Sequence, residues 1–316
     1  MRAVFIIFFC VAASATAAPA GVEGTDAKTP SQTAKVLAYA SYLDSLDKSD
    51  VNSVSKAADY FQEKLMQASE PECIAAAVHF DAFFRSLEVT QDQEHRKEWE
   101  NIAAEAFQKA HGEEYLKNGL ALQWCDSGLG CFVSPDAPQT VFKPFTLCAA
   151  PQVRAYFTLP SGTHGDPGYM SGSFSEVATD VGEHELFLVE FPDSAFSEKV
   201  TARRDRMRVQ LFLGGPFLFE PFESHGTVSP EALAAYRWYI EKYPKTETAD
   251  LLRRYCAILE ENGLKFCRPV YDFLKQQTPG SVSDRLRWDF DLMQQYFASS
   301  DENLNISGYV KEHEPK

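Results

Sequence analysis

Histidine and carboxylate residues that could do chemistry gather around a glycine-rich segment in the middle of the chain. His164 and Asp166 lie within this segment, and a Glu-His-Glu triplet centred on His184 follows on a helical pattern. Such groups can bind a metal ion or exchange protons with a substrate. Their spacing matches no zinc motif, and adjacent helical residues point about 100° apart, so the triplet cannot face one ion. We expect exposed loop and helix-cap residues here, with no metal and no other cofactor.

A basic patch in an otherwise acidic chain is the second candidate site. Its arginines fall on two related segments and are Arg203, Arg204, Arg206, Arg208, Arg253 and Arg254. Guanidinium groups at this density could hold a carboxylate or another anionic partner. The alternative, which we favour, is an exposed helix face whose arginines pair with nearby acids such as Glu198 and Asp205.

No pattern marks a catalytic nucleophile. The chain contains no GxSxG motif and no cysteine beside a plausible base. Ser224 precedes His225, but neighbours in sequence cannot easily form the hydrogen bond that a catalytic pair needs, so we expect His225 to be structural. Catalytic residues are therefore not assigned. Because acidic residues are plentiful, a hydrolase that uses two carboxylates stays open as an alternative.

The first twenty residues have the layout of a secretory signal peptide. Arg2 is followed by the apolar run AVFIIFFCVAA and then by small residues, with cleavage expected after Ala17 or Ala20. The apolar run is shorter than the ~20 residues that cross a bilayer. We therefore expect an exported chain, periplasmic or secreted, whose mature form does not insert into a membrane. Residues 21–30 predict a flexible leader after the cleavage site.

The charge of the mature chain excludes one class of partner. Removing the signal peptide takes away Arg2 and no acid, which leaves 29 basic against 45 acidic residues, a net charge of −16. Binding nucleic acid needs a basic surface that neutralises phosphates. Nucleic acid is therefore not an expected partner.

Six cysteines remain after cleavage, and an even number in an exported chain favours disulfides. No CxxC pair is present, which argues against a structural zinc site. Alternating apolar residues on either side of DSGLG predict a β-hairpin near 119–133, which would bring Cys125 and Cys131 within disulfide reach. Cys256 and Cys267 are a second candidate pair. The sequence does not choose among the remaining pairings.

The distribution of apolar residues predicts a mainly α-helical chain. Helical spacing over 31–115 indicates an N-terminal helical region, with a fourth helix expected from Asp92 to a stop near Gly112. Residues 116–172 form a mixed region with the hairpin and the glycine-rich loop. Residues 173–298 are helical again, and the polar end at 299–316 predicts a loose tail.

An internal repeat lies in the C-terminal helical region. HELFLVEFPDSAFSEKV matches YRWYIEKYPKTETADLL at an offset of 52 residues, which pairs Leu186 with Trp238, and Ser194 with Thr246. Each copy predicts a helix that ends at aromatic-Pro, a turn whose Ser or Thr caps the next helix, and a second helix.

Over roughly residues 174–265 this repeat resembles the helical hairpins of tetratricopeptide-like proteins in exported bacterial chains. The resemblance implies an irregular helical-repeat scaffold that binds a protein or peptide. A narrower alternative is an inhibitor or immunity protein of an envelope toxin. The rival class is an envelope hydrolase that uses carboxylates or a His/Asp/Glu metal site near 161–185.

Overall fold

A computed structural model describes most of the chain between residues 33 and 277. The described residues are 33–99, 104–118, 120–124, 131–135, 142–160, 173–213, 222 and 226–277. The expected signal peptide, flexible leader, glycine-rich loop and C-terminal tail lie outside them.

The described residues of the N-terminal region form four helices. They are α1 (Ala34–Ser45), α2 (Asn52–Lys64), α3 (Glu70–Trp99) and α4 (Ala104–Lys117). The expected boundary near Asp92 is wrong, because α3 continues through it to Trp99, and α4 passes through Gly112 instead of stopping there. Between Glu72 and Gly112 the sequence contains no glycine or proline, and a single helical glycine costs only ~1 kcal/mol, so neither position ends a helix.

Two short strands and two short helices connect this region to the C-terminal half. Strand β1 (Leu120–Trp124) pairs antiparallel with β2 (Cys131–Pro135), with Leu120 opposite Pro135 and Trp124 opposite Cys131. The loop between the strands lies outside the described residues. Helices α5 (Lys143–Thr146) and α6 (Pro151–Thr158) follow, and each begins with a proline in its first turn.

The C-terminal half contains five further helices in the described part of the chain. They are α7 (Phe174–Glu190), α8 (Ser197–Leu213), α9 (Pro230–Lys242), α10 (Glu247–Glu261) and α11 (Arg268–Gln277). The expectation of a mainly α-helical chain is confirmed. None of the helices described combines the length and the apolar character that crossing a membrane requires.

The turns that follow α7 and α9 have the same hydrogen bonds. The amide of Phe191 donates to the Phe187 carbonyl, and that of Tyr243 to the Tyr239 carbonyl, both at 2.8 Å. One residue beyond each aromatic stands a proline, which cannot continue the helix. The amides of Ser194 and Thr246 then bond back to these aromatics at 3.1 and 3.2 Å. The matched sequences therefore form matching turns.

Apolar side chains form two clusters, and α7 contributes to both. The N-terminal cluster gathers α1 to α3, α5 and α6, and it includes Phe187 of α7 and Phe196 at the start of α8. The C-terminal cluster gathers α7 to α11 and includes Val177 and Val181 of α7. Within the N-terminal cluster, the rings of Tyr156 and Phe196 stack with centroids 4.0 Å apart. Helix α7 is thus buried on two sides.

Gly182 of α7 lies directly against the ring of Tyr243, the residue that follows α9. A Cβ atom added to this glycine would lie 2.1 Å from Cε2 of Tyr243, far inside van der Waals contact. The hydroxyl of Tyr243 donates to Glu183 at 3.1 Å, which holds the ring against the helix. The glycine is therefore required by packing, although it lowers helix propensity.

We predict that Gly182→Ala destabilises the protein by about 1–3 kcal/mol, because the methyl group must displace the Tyr243 ring. At an unconstrained helical site the same change would stabilise by up to ~1 kcal/mol. Denaturant unfolding measures the free energy of unfolding. In a Tyr243→Ala background the substitution should become neutral or stabilising. A stabilising effect in both backgrounds would show that the close approach is absent.

Candidate functional site

The Glu-His-Glu triplet of α7 sends its three side chains to three different neighbours. Glu183 accepts a hydrogen bond from Tyr243, as described above. His184 Nδ1 lies 2.8 Å from the Asp180 carbonyl oxygen, which can only accept, so this nitrogen carries the proton. Glu185 reaches across to α9 and α10. Among the described residues, no group of three or more His, Cys, Asp and Glu side chains could hold a metal ion.

The expectation that the triplet is exposed is wrong for two of its members. His184 is 0 % exposed and Glu185 is 3 % exposed. Because α7 packs against the N-terminal cluster and against α8 and α9, most of its circumference is covered. The sequence carried a signal for this, since buried apolar residues such as Val181 and Phe187 surround the triplet on a helical projection.

Glu185 caps the first turn of α10 from another hairpin. Its carboxylate accepts hydrogen bonds from Tyr239 Oη at 2.6 Å, from Thr248 Oγ1 at 2.8 Å and from the Thr248 amide at 3.2 Å. Arg204 Nη1 lies 4.0 Å from the same carboxylate. The first amides of a helix have no partner within the helix and carry partial positive charge, so a buried carboxylate is well placed there.

The arginines of α8 do not form one surface. Arg204 and Arg208 both pair with Asp205, at 2.7 and 3.3 Å, and both contact Glu247 at the start of α10. Their side chains are mostly covered by these contacts. Arg203 instead lies with its guanidinium carbon 5.3 Å from the centre of the Tyr156 ring. The expected pairing with Asp205 is present, but the expected exposure is wrong for Arg204 and Arg208, whose side chains are only 14 % and 16 % exposed.

A polar cluster at the junction of α3, α6 and α8 centres on Asp81. This buried carboxylate accepts hydrogen bonds from Tyr156 Oη at 2.6 Å, from Lys199 Nζ and from Arg85 Nε at 3.4 Å. Burial by itself would raise the pKa of Asp81, but the hydrogen bonds from Lys199 and Tyr156 outweigh it and hold the pKa below its usual value. Asp81 is therefore a saturated, ionised group.

Glu88 lies two helical turns beyond Asp81 on α3. Burial raises the pKa of Glu88 to about 7, although Arg85 and Arg203 both favour its ionised form. Two carboxylates with pKa values shifted in opposite directions are typical of acid–base sites. Here Asp81 is engaged by three donors, so of these two carboxylates Glu88 is the one whose pKa lies near neutral pH.

His184 belongs to the same neighbourhood through Arg203. The pKa of His184 is lowered to about 4, mainly by burial and also by the nearby positive charge of Arg203. The hydrogen bond with the Asp180 carbonyl acts in the opposite direction but does not outweigh them. In the part of the chain that the structure describes, its Nε2 atom is buried without a hydrogen-bond partner. The ring is therefore neutral at neutral pH and presents an unused acceptor.

The structure thus brings together only some of the residues that the sequence singled out. His184 and Arg203 lie in one neighbourhood, whereas Arg204 turns toward α10. His164, Asp166, His225 and Cys125 lie outside the described residues. Sequence reasoning missed five members of the polar cluster: Asp81, Arg85, Glu88, Tyr156 and Lys199. A usable signal was the spacing of Asp81, Arg85 and Glu88 along α3, at intervals of four and three residues that share a helix face.

The second predicted disulfide stays a prediction. Cys256 is buried on α10 and Cys267, half-buried, precedes α11, and both are thiols in the structure.

Comparison of the chain with protein-family models, with curated proteins and with solved structures finds no match in any of the three. The roles of the residues around Asp81 and Glu185 are therefore inferred from their contacts alone.

We predict that His184 makes stability depend on pH below 6.5. The folded pKa of about 4 lies below the ordinary value of 6.5, so the unfolded chain binds more protons in this window. The wild type should therefore lose stability relative to His184→Asn as the pH falls from 6.5 to about 4. Asparagine keeps a donor near the Nδ1 position and does not titrate. Urea unfolding at a series of pH values measures the difference.

Glu88→Gln is the matched control with the opposite sign. The folded pKa of Glu88, about 7, lies above the ordinary value of 4.5. The wild type should therefore lose stability relative to Glu88→Gln as the pH rises from 4.5 to about 7. Stability differences that stay flat with pH for both variants would contradict the buried position of His184 and the half-buried position of Glu88.

Proposed function

We propose that the chain is an exported helical scaffold that binds a protein or peptide in the cell envelope or outside the cell. One observation carries the proposal. Leu186 on α7 and Trp238 on α9, which are equivalent in the repeat, are both exposed, at 44 % and 37 %. Two successive hairpins therefore present a large apolar side chain at the same position.

The neighbours of these side chains support a binding role. Residues on either side of Leu186 are buried, as is Tyr239 next to Trp238, so the exposed positions are the outward edges of otherwise packed helices. Val189, one turn after Leu186, is also exposed. Lys242 Nζ lies 4.7 Å from the centre of the Trp238 ring. Single exposed apolar residues are ordinary, but matched ones on stacked hairpins are a surface that repeat proteins use for partners.

The scaffold interpretation draws further support from the matching turns. Both hairpins begin at a capping serine, Ser173 before α7 and Ser229 before α9, whose hydroxyl accepts from an amide in the first turn. These features favour two copies of one tetratricopeptide-like unit. Export is supported by the N-terminal sequence alone, through its apolar run and small residues.

We predict that Trp238→Ala and Leu186→Ser each weaken capture of a partner without unfolding the protein. The test is mild crosslinking in the native host, followed by identification of the proteins joined to the wild type and to each variant. Leu147→Ser is the matched control, since Leu147 is 60 % exposed but lies between α5 and α6. A reproducible partner should be lost with the first two variants and kept with the third.

Two results would count against the proposal. If the wild type captured no reproducible partner, the binding function would lose its support. If every variant kept the same partner equally well, binding would not use the α7 and α9 positions. Circular dichroism of each variant separates loss of binding from loss of fold.

A further inference from the structure

Two cysteines distant in sequence meet inside the N-terminal cluster. Cys73 lies in the first turns of α3, and Cys148 lies in the link between α5 and α6. Both side chains are fully buried in this cluster, and each thiol is the main influence on the pKa of the other, which makes the two side chains neighbours. Cys73 Sγ also contacts the carbonyl of Ala68 at 3.5 Å, and Cys148 Sγ that of Ala150 at 3.8 Å.

The surroundings make the two sulfur atoms chemically unequal. The hydrogen bond from Cys148, aided by the amides of Ala149 and Ala150, lowers the pKa of Cys73 to about 7. The same hydrogen bond and burial raise the pKa of Cys148. These shifts belong to the folded pair, so before the core closes either cysteine can supply the thiolate that attacks a donor disulfide.

We propose that Cys73 and Cys148 form a disulfide when the chain folds in the presence of a disulfide donor, either an oxidised small thiol or an oxidised dithiol protein. This bond differs from both pairs that the sequence favoured. Because both residues are buried once the core has closed, the exchange takes place during folding, while they are still accessible.

The exchange is balanced in atoms and electrons. One cysteine of the pair, as its thiolate, attacks one sulfur of the donor disulfide, forms a mixed disulfide and expels the other donor sulfur as a thiolate. The other cysteine then loses its proton and attacks the sulfur of the first, which releases the second donor sulfur as a thiolate. The chain gives up two electrons and two protons, and the donor takes them up as two thiols.

The Cys73–Cys148 disulfide would close a long loop of the chain. Residues 73 and 148 enclose most of α3, the whole of α4 and α5, and both strands. A crosslink over such a span reduces the freedom of the unfolded chain far more than the short Cys125–Cys131 loop would. It would hold the start of α3 against the α5–α6 link, where Phe80 and Phe145 already stack with centroids 4.3 Å apart.

Peptide mapping of the full chain tests the proposal. The denatured, reduced protein is refolded in a buffer of oxidised and reduced glutathione, blocked with an alkylating reagent and digested without reduction. Trypsin alone leaves Cys125, Cys131 and Cys148 in one fragment, residues 118–154, so chymotrypsin is added to cut after Trp124, Phe132 and Phe145. The expected result is one crosslinked pair of fragments, one containing Cys73 and the other Cys148.

Variants guard against misassignment. Cys148→Ser should abolish the crosslinked pair of fragments and lower the melting temperature in the oxidising buffer. Cys256→Ser should keep the crosslinked pair and should not lower the melting temperature in this way. The proposal is overturned if refolded wild type carries Cys73 and Cys148 as alkylated thiols, or if either is joined to another cysteine. Refolding in glutathione does not depend on export, so its outcome is independent of the proposed localisation.

Discussion

The C-terminal half of the molecule depends on one buried carboxylate. Removing a carboxylate from water costs several kcal/mol unless hydrogen bonds and charges compensate for it. Glu185 obtains this compensation from three helices at once: Tyr239 of α9, Thr248 in the first turn of α10 and Arg204 of α8. Because these donors converge on a single side chain of α7, the two helical hairpins can pack together in only a narrow range of positions.

His184, next to Glu185 in the sequence, links α7 to the N-terminal half of the molecule. His184 points away from Glu185, toward the neighbourhood of Arg203, so α7 is covered on both sides and becomes the central helix of the described structure. Gly182 leaves room for the close approach of α9. The part of α7 that stays exposed to solvent is mainly its outward edge, where Leu186 lies. The binding surface proposed for the scaffold is what this packing leaves exposed.

The elements of the fold follow from local patterns, whereas the buried polar contacts do not. Helical spacing and the repeated aromatic-Pro turn were enough to predict the C-terminal hairpins. The partner of Glu185 was not predictable, because Thr248 lies 63 residues later and no local pattern joins them. Asp81 meets Lys199 across 118 residues for the same reason. Polar residues were interpreted as exposed, and this assumption fails where a helix is packed on two sides.

The most direct test of this account is a double-mutant cycle between Glu185 and Thr248, measured as free energies of unfolding. Glu185→Ala should cost about 3–5 kcal/mol, since it leaves buried donors unpaired, and its coupling to Thr248→Val should be about 1–3 kcal/mol. Glu190→Ala, at the exposed end of the same helix, should change stability by no more than about 0.5 kcal/mol. A cost at Glu185 no greater than that at Glu190, with no coupling to Thr248, would contradict the central role of this carboxylate.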